Sequence, residues 1–346
     1  MTDTNFTTAN TQGAAFVPPV KKGFSGSTIK LIAIIAMFID HTAATILERM
    51  MMRAGYMLAT INAGTMADWI AGHKALFIPY IVMRMIGRFG FPIFCFLLVE
   101  GFVHTHNRRK YALRLFLFAL ISEIPFDFAF HGEWFFSGYQ NVFFTLFLGM
   151  LAMCAFSFFA EHIKGGISAV AGIVTGILFT GVYACLIIEN LVYGLLEPLF
   201  GNLLYSLGSK GFRLLLTAVI ALITAFVLFR LSQKHSPAYA GLIGADLSAL
   251  CLCGFAADLL ATDYGGMGVL TIALMYAFRK KPVRSMLAGC ICLTVMDIME
   301  VTAFLMLIPV SRYNGRRGLN LKYVFYAFYP VHLGLLYLVC LAMGLA

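Results

Sequence analysis

The chain is a succession of apolar runs of helix length, separated by short polar or basic breaks. About 20 apolar residues in a helix cross a hydrocarbon core about 30 Å thick, so each such run predicts a span. These runs fall at 29–47, 77–103, 111–130, 141–160, 166–188, 214–231, 238–260, 267–278 and 286–308, with a last one starting near Lys322. Residues 189–205, with Glu197-Pro198 at their centre, fit a short span or a re-entrant interfacial helix. Basic clusters at 108–110 and 279–284 belong on the cytoplasmic side, which requires an even number of crossings between them and favours the re-entrant form. The pattern predicts an all-α polytopic transmembrane helical bundle of about ten spans, one domain over 29–346, its N-terminus cytoplasmic. Residues 1–28 are polar and rich in Thr, Asn, Gly and Pro, and predict a disordered cytoplasmic tail. Ten spans put the basic loop 311–318 outside, against the charge rule that orients the rest.

Composition changes this picture little. Hydrophobic residues make up 61% of the 346 and charged residues 12%, which excludes an ordinary soluble domain. The formal charge of +9 lies in short clusters between apolar runs, so its partner is the lipid bilayer and no nucleic acid is expected. All eight cysteines fall inside apolar segments, so neither a disulfide framework nor a metal site is expected. No nucleotide-binding, zinc-protease or serine-hydrolase motif stands in a suitable context, and no internal repeat is visible.

Ionisable residues inside the spans carry the candidate chemistry. Asp40 and His41 lie near the middle of the first run, where a charged side chain costs roughly 2.5 to 3.5 kcal/mol on insertion scales and so marks function by default. Arg84 and Arg88 are one turn apart; they either bind an anion or acids, or snorkel to the interface. Glu123 and Asp127 share a face of the third span around Pro125, and Asn141 begins the fourth. Glu100, Asp297, Glu300 and His332 complete the set. A base, acids and cations at similar depth suit acyl transfer. His41 is the expected base. Adjacent helical residues diverge by about 100°, so Asp40 is a poor orienter for it and pairs better with an arginine. Glu123 or Asp127 is expected to orient the ring, and Asn141 or His332 to polarise the acyl carbonyl. Asp40, Arg84, Arg88 and Glu100 form the expected substrate-binding set. The alternatives are a proton-coupled transporter using the same groups as a relay, or a structural subunit with polar residues as bundle glue.

Asp40-His41, Arg84-x-x-Gly87-Arg88-x-x-Phe91-Pro92, Glu100-Gly101, Ser122-Glu123-Ile124-Pro125-Phe126-Asp127, Gln140-Asn141, Asn314-Gly315-x-Arg317-Gly318 and Tyr329-Pro330-x-His332 together resemble the TraX family. The resemblance implies a bacterial membrane acetyltransferase, distantly like transmembrane acyltransferases that take acetyl groups from cytosolic acetyl-CoA. It also implies a catalytic histidine in the first span, which falls on His41. The implied location is the cytoplasmic membrane, and the acceptor is a peptide, pilin-like protein or glycan. The donor's phosphates are expected at the basic clusters, either Arg108, Arg109 and Lys110 with Arg316 and Arg317, or 279–284.

Overall fold

A computed structural model describes residues 23–319 and 322–345; for 187–200, 202–209 and 322 it describes the backbone alone. Ser25 caps the first helix, its hydroxyl accepting from Thr28 N, and α1 runs over Gly26–Arg53 with a π-helical turn at Ala43–Leu47. Two short helices, Tyr56–Ala59 and Ala63–Gly72, lead to α2 (Lys74–His104). Asn107 caps α3 (Arg108–His131) and Asn141 caps α4 (Val142–His162). Then follow α5 (Gly166–Leu186), α6 (Glu189–Lys234), α7 (Pro237–Leu259), α8 (Gly265–Ala277), α9 (Pro282–Met296), α10 (Ile298–Ser311) and α11 (Lys322–Ala342). Among the described residues, 7 helices are long and apolar enough to cross a membrane. The chain is an all-α helical bundle.

Expectation and structure part at three places. First, 286–308 is not one span. Asp297 takes an extended conformation (φ −146°, ψ 126°), and its carboxylate accepts from Met299 N, starting a new helix with 3-10 geometry. The two legs fold back on each other, with Cys290 Sγ 3.4 Å from the carbonyl of Ala303. Hydropathy gives no sign of this, because the apolar run continues through both legs.

The hairpin reverses the chain once more, which removes the conflict over the basic loop. Phe24 N donates to Arg312 O at 2.9 Å, Gly26 N to Arg316 O at 2.8 Å and Ser27 N to Arg317 O at 2.9 Å. The loop 311–318 therefore lies at the same end as the start of α1. Secondly, the expected tail 1–28 lies outside the described residues as far as 22, whereas 23–28 pair with this loop and begin α1. Thirdly, 189–205 is no separate re-entrant piece: its backbone continues as one helix of 46 residues to Lys234.

The main apolar core draws buried side chains from α1 to α4 and from α8 to α11. Helices α5 to α7 form a flank, held by a close crossing in which Gly172 and Gly176 meet Gly241 and Gly244. A Cβ on any of these would fall onto the opposing backbone, so glycine is what permits the approach.

Candidate active site

Two histidines meet across the bundle. His41 on α1 and His332 on α11 are joined by a hydrogen bond of 2.7 Å between Nδ1 of the first and Nε2 of the second. Their ring planes differ by 6° with centroids 5.0 Å apart, so the rings lie edge to edge in nearly one plane. Nδ1 of His332 is 2.7 Å from the carbonyl oxygen of Phe328, one turn back on its own helix. A carbonyl only accepts, so that nitrogen carries the proton. Nε2 of neutral His332 then accepts, Nδ1 of His41 donates, and the lone pair of His41 is left on Nε2. Among the described residues no protein group hydrogen-bonds that nitrogen.

Local structure holds the first ring in place. The π-helical turn begins just after His41, and Thr45 donates its hydroxyl to the His41 carbonyl at 2.6 Å. Such turns often mark functional positions, because they redirect side chains without breaking the helix. Phe130 and Tyr329 present edges to the ring at 5.4 and 5.8 Å.

The orienting role expected of Glu123 or Asp127 falls instead to His332. Glu123 accepts at Oε2 from both the backbone and the side-chain nitrogen of Asn141, and Asp127 accepts from Phe136 N at 2.9 Å. Helical periodicity correctly puts both acids on one face, but that face meets α4 and the loop before it. Asn141 spends its amide on Ala119 O and Glu123, and its side-chain oxygen on Phe143 N. With His332 also bonded at both nitrogens, neither residue has a donor left for an acyl carbonyl.

Both arginines turn inward to acids rather than snorkelling. Arg84 meets Asp40 at 2.7 Å and Arg88 meets Glu300 at 3.2 Å. Glu300 is fully buried, while the side chains of Arg84, Asp40 and Arg88 keep 22%, 16% and 16% of their surface accessible. Asp40, Arg84 and Arg88 thus form a partly exposed polar cluster, with Glu300 enclosed behind it. Asp297 is the helix cap already described, which accounts for its place in an apolar run.

At the basic end, beneath the strap made by 23–27 and 312–319, lies a cavity of about 470 Å³. Lys30, Glu100, Arg114, Tyr313 and Arg317 are on its wall. Tyr313 donates to Glu100 at 3.3 Å, and burial beside that carboxylate pushes the phenol up to about 12. Of the clusters expected to face the donor, only Arg317 lines the cavity. Arg108 packs on the Phe102 ring instead, and Arg316 donates its backbone N–H to Asn314 Oδ1, which caps the turn. Lys30 and Arg114 sit within apolar runs, where they resemble anchors, yet both line this cavity. A smaller apolar cavity of about 70 Å³ shares Lys30, Tyr111 and Tyr326 with the first and reaches Met37, Phe143 and Tyr329. Tyr329 touches both histidine rings, so the two cavities lead from the basic end toward the pair.

The probable fimbrial assembly protein FimC, serogroup H1, of Dichelobacter nodosus is 34% identical over 137 residues, which is 38% of this chain and 46% of that protein. The chain thus matches less than half the length of that relative. No solved structure matches. The TraX protein family matches residues 25–248 and 245–340. Since that match takes in α1 to α10 and nearly all of α11, the chain belongs to the TraX protein family.

Proposed function

We propose that the protein is an acetyltransferase of the bacterial cytoplasmic membrane, moving an acetyl group from cytosolic acetyl-CoA to an amine or hydroxyl of an acceptor at or across the membrane. The observation that carries this is the carbonyl–His332–His41 chain, which leaves a lone pair on Nε2 of His41. His41 takes the acceptor's proton as nitrogen or oxygen attacks the thioester carbonyl. The same imidazolium returns a proton to the departing thiolate. His332 holds the tautomer and shares the charge, the task a carboxylate performs in a hydrolase triad.

The basic cavity has the character such a donor needs. Lys30, Arg114 and Arg317 suit its phosphates, and the apolar throat toward Tyr329 suits a thin, weakly polar arm. From Lys30 to His41 is about 16 Å of helix rise, so a donor anchored at the basic end presents its acyl group near the pair only if it extends along α1. Arg84, partly exposed and close enough to His41 to interact with it electrostatically, is the group available for the oxyanion. The acceptor is expected to approach the pair from the side of the partly exposed Arg84–Asp40 ion pair. The fimbrial name of the relative favours an acceptor destined for the cell surface, such as a pilin-like protein.

The test is acetyl-CoA consumption by the purified protein in lipid nanodiscs. Wild type is expected to consume it and His41→Ala to lose that activity with an unchanged melting temperature; equal turnover by the two rules the assignment out.

A further inference from the structure

Glu123, Asp127 and His131 occupy successive turns on one face of α3, and each keeps one buried polar atom that no protein group satisfies among the described residues. These atoms are Oε1 of Glu123, Oδ1 of Asp127 and Nε2 of His131. Glu123 is 8% exposed and Asp127 0%, while His131 is partly exposed where α3 ends at Gly132. The stripe therefore runs from the core to the end of the bundle opposite the basic loop. One helical turn is about 5.4 Å, a gap that a single water spans with two hydrogen bonds of about 2.8 Å.

The inner end of the stripe approaches the histidines. Tyr329 touches both rings and lines the small apolar cavity together with Val142. The residue before Val142 is Asn141, which holds Glu123. Few other charges meet the stripe. Arg49 of α1 donates to the carbonyls of Phe128 and Ala129 beside it, and Glu133 of the following loop acts on Asp127 and His131. Tyr139 and Phe136 wall it, the latter stacked on His131 at 4.0 Å.

We propose that Glu123, Asp127 and His131 form a water-bridged proton path from the His41–His332 pair to the outer end of the bundle. This rests on the acyl-transfer chemistry above, which supplies a proton to be moved. With water as acceptor, acetyl-CoA and water give acetate, the free thiol and one proton. The C–O bond forms, the C–S bond breaks, His41 passes one water proton to sulfur, and the second must leave. An acceptor amine entering as its ammonium leaves the same surplus; a hydroxyl acceptor leaves none. The groups of the path act through His41 and position the proton, without touching the reacting atoms.

Two measurements test it. In infrared difference spectra of the protein in nanodiscs, a carboxylic-acid carbonyl band sensitive to deuterium oxide is expected, and Glu123→Gln or Asp127→Asn should remove or shift it. A spectrum without such a band, or a band indifferent to both variants, overturns the path. In acetyl-CoA hydrolysis, Asp127→Asn and the milder His131→Gln should lower kcat at least about tenfold with KM unchanged, and added formate should restore it. Wild-type kcat in both variants, or loss that formate does not relieve, overturns the path while leaving acyl transfer standing. Should wild type not consume acetyl-CoA at all, acyl transfer falls and the infrared result alone decides the path.

Discussion

At the scale of single residues, the two histidines differ in what they can tolerate. In the proposed reaction His41 holds the reactive nitrogen, whereas His332 acts through the bond it accepts at 2.7 Å. His332→Ala is therefore expected to lower acetyl-CoA turnover by roughly 10²- to 10⁴-fold rather than abolish it, with KM little changed. Protonating His332 converts the acceptor in this bond to a donor, and protonating His41 occupies the lone pair on its Nε2, so the rate of the wild type should fall on the acid side; a flat profile there counts against the relay. The ion pairs separate in the same way. Removing Arg88 strands a fully buried carboxylate at Glu300, and Arg88→Ala should cost about 3 to 5 kcal/mol, visible as a lower melting temperature. Adding Glu300→Leu to that variant should recover much of the loss, since it removes the stranded charge. Arg84→Ala breaks a pair that is 22% and 16% exposed and should cost less stability and more activity.

At the scale of elements, hydropathy located most of the helices, because burial in lipid imposes the same long apolar run wherever a span occurs. It did not locate the reversal at Asp297, where one extended residue and one capping carboxylate turn the chain inside an unbroken apolar stretch. The polar set was legible by type and depth, since charged side chains are costly there. Pairing was less legible: a period of 3.6 residues tells which side chains share a face, and only packing tells which neighbour that face meets. Asp40 with an arginine was the pairing expected, whereas His41 with His332, and Glu123 with Asn141, required the fold. The hairpin also has a directional consequence. Cysteines placed at Gly315 and at Arg109 should react with an impermeant maleimide from the same side of sealed vesicles; labelling from opposite sides would contradict the basic cavity, whose wall takes in both Thr105 and Gly315. Asp297→Ala should lower stability by about 0.5 to 2 kcal/mol through the lost cap, with catalysis intact in the folded fraction.

At the scale of the molecule, the polar groups come from α1 to α4, α10 and α11, while α5 to α7 pack as a flank beside them. The core half alone thus holds two unlike polar regions near one histidine pair. One is a basic cavity adjoining a small apolar one, and the other a partly exposed cluster of arginines and carboxylates. In the proposed transfer such a division would let donor and acceptor meet without crossing each other's path, and it predicts that the two substrates are separable by mutation. Lys30→Ala and Arg317→Ala remove cations from the basic cavity only. Each lost hydrogen bond to a charged group is worth about 1.5 to 3 kcal/mol, so KM for acetyl-CoA should rise by roughly ten- to a hundredfold with kcat nearly constant. In proteoliposomes of uniform orientation, acetyl-CoA should be consumed only when supplied to the face that carries the 23–27 and 312–319 strap, since the cavity opens beneath it. Consumption from the opposite face would place the donor outside the basic cavity and reverse the proposed direction of transfer.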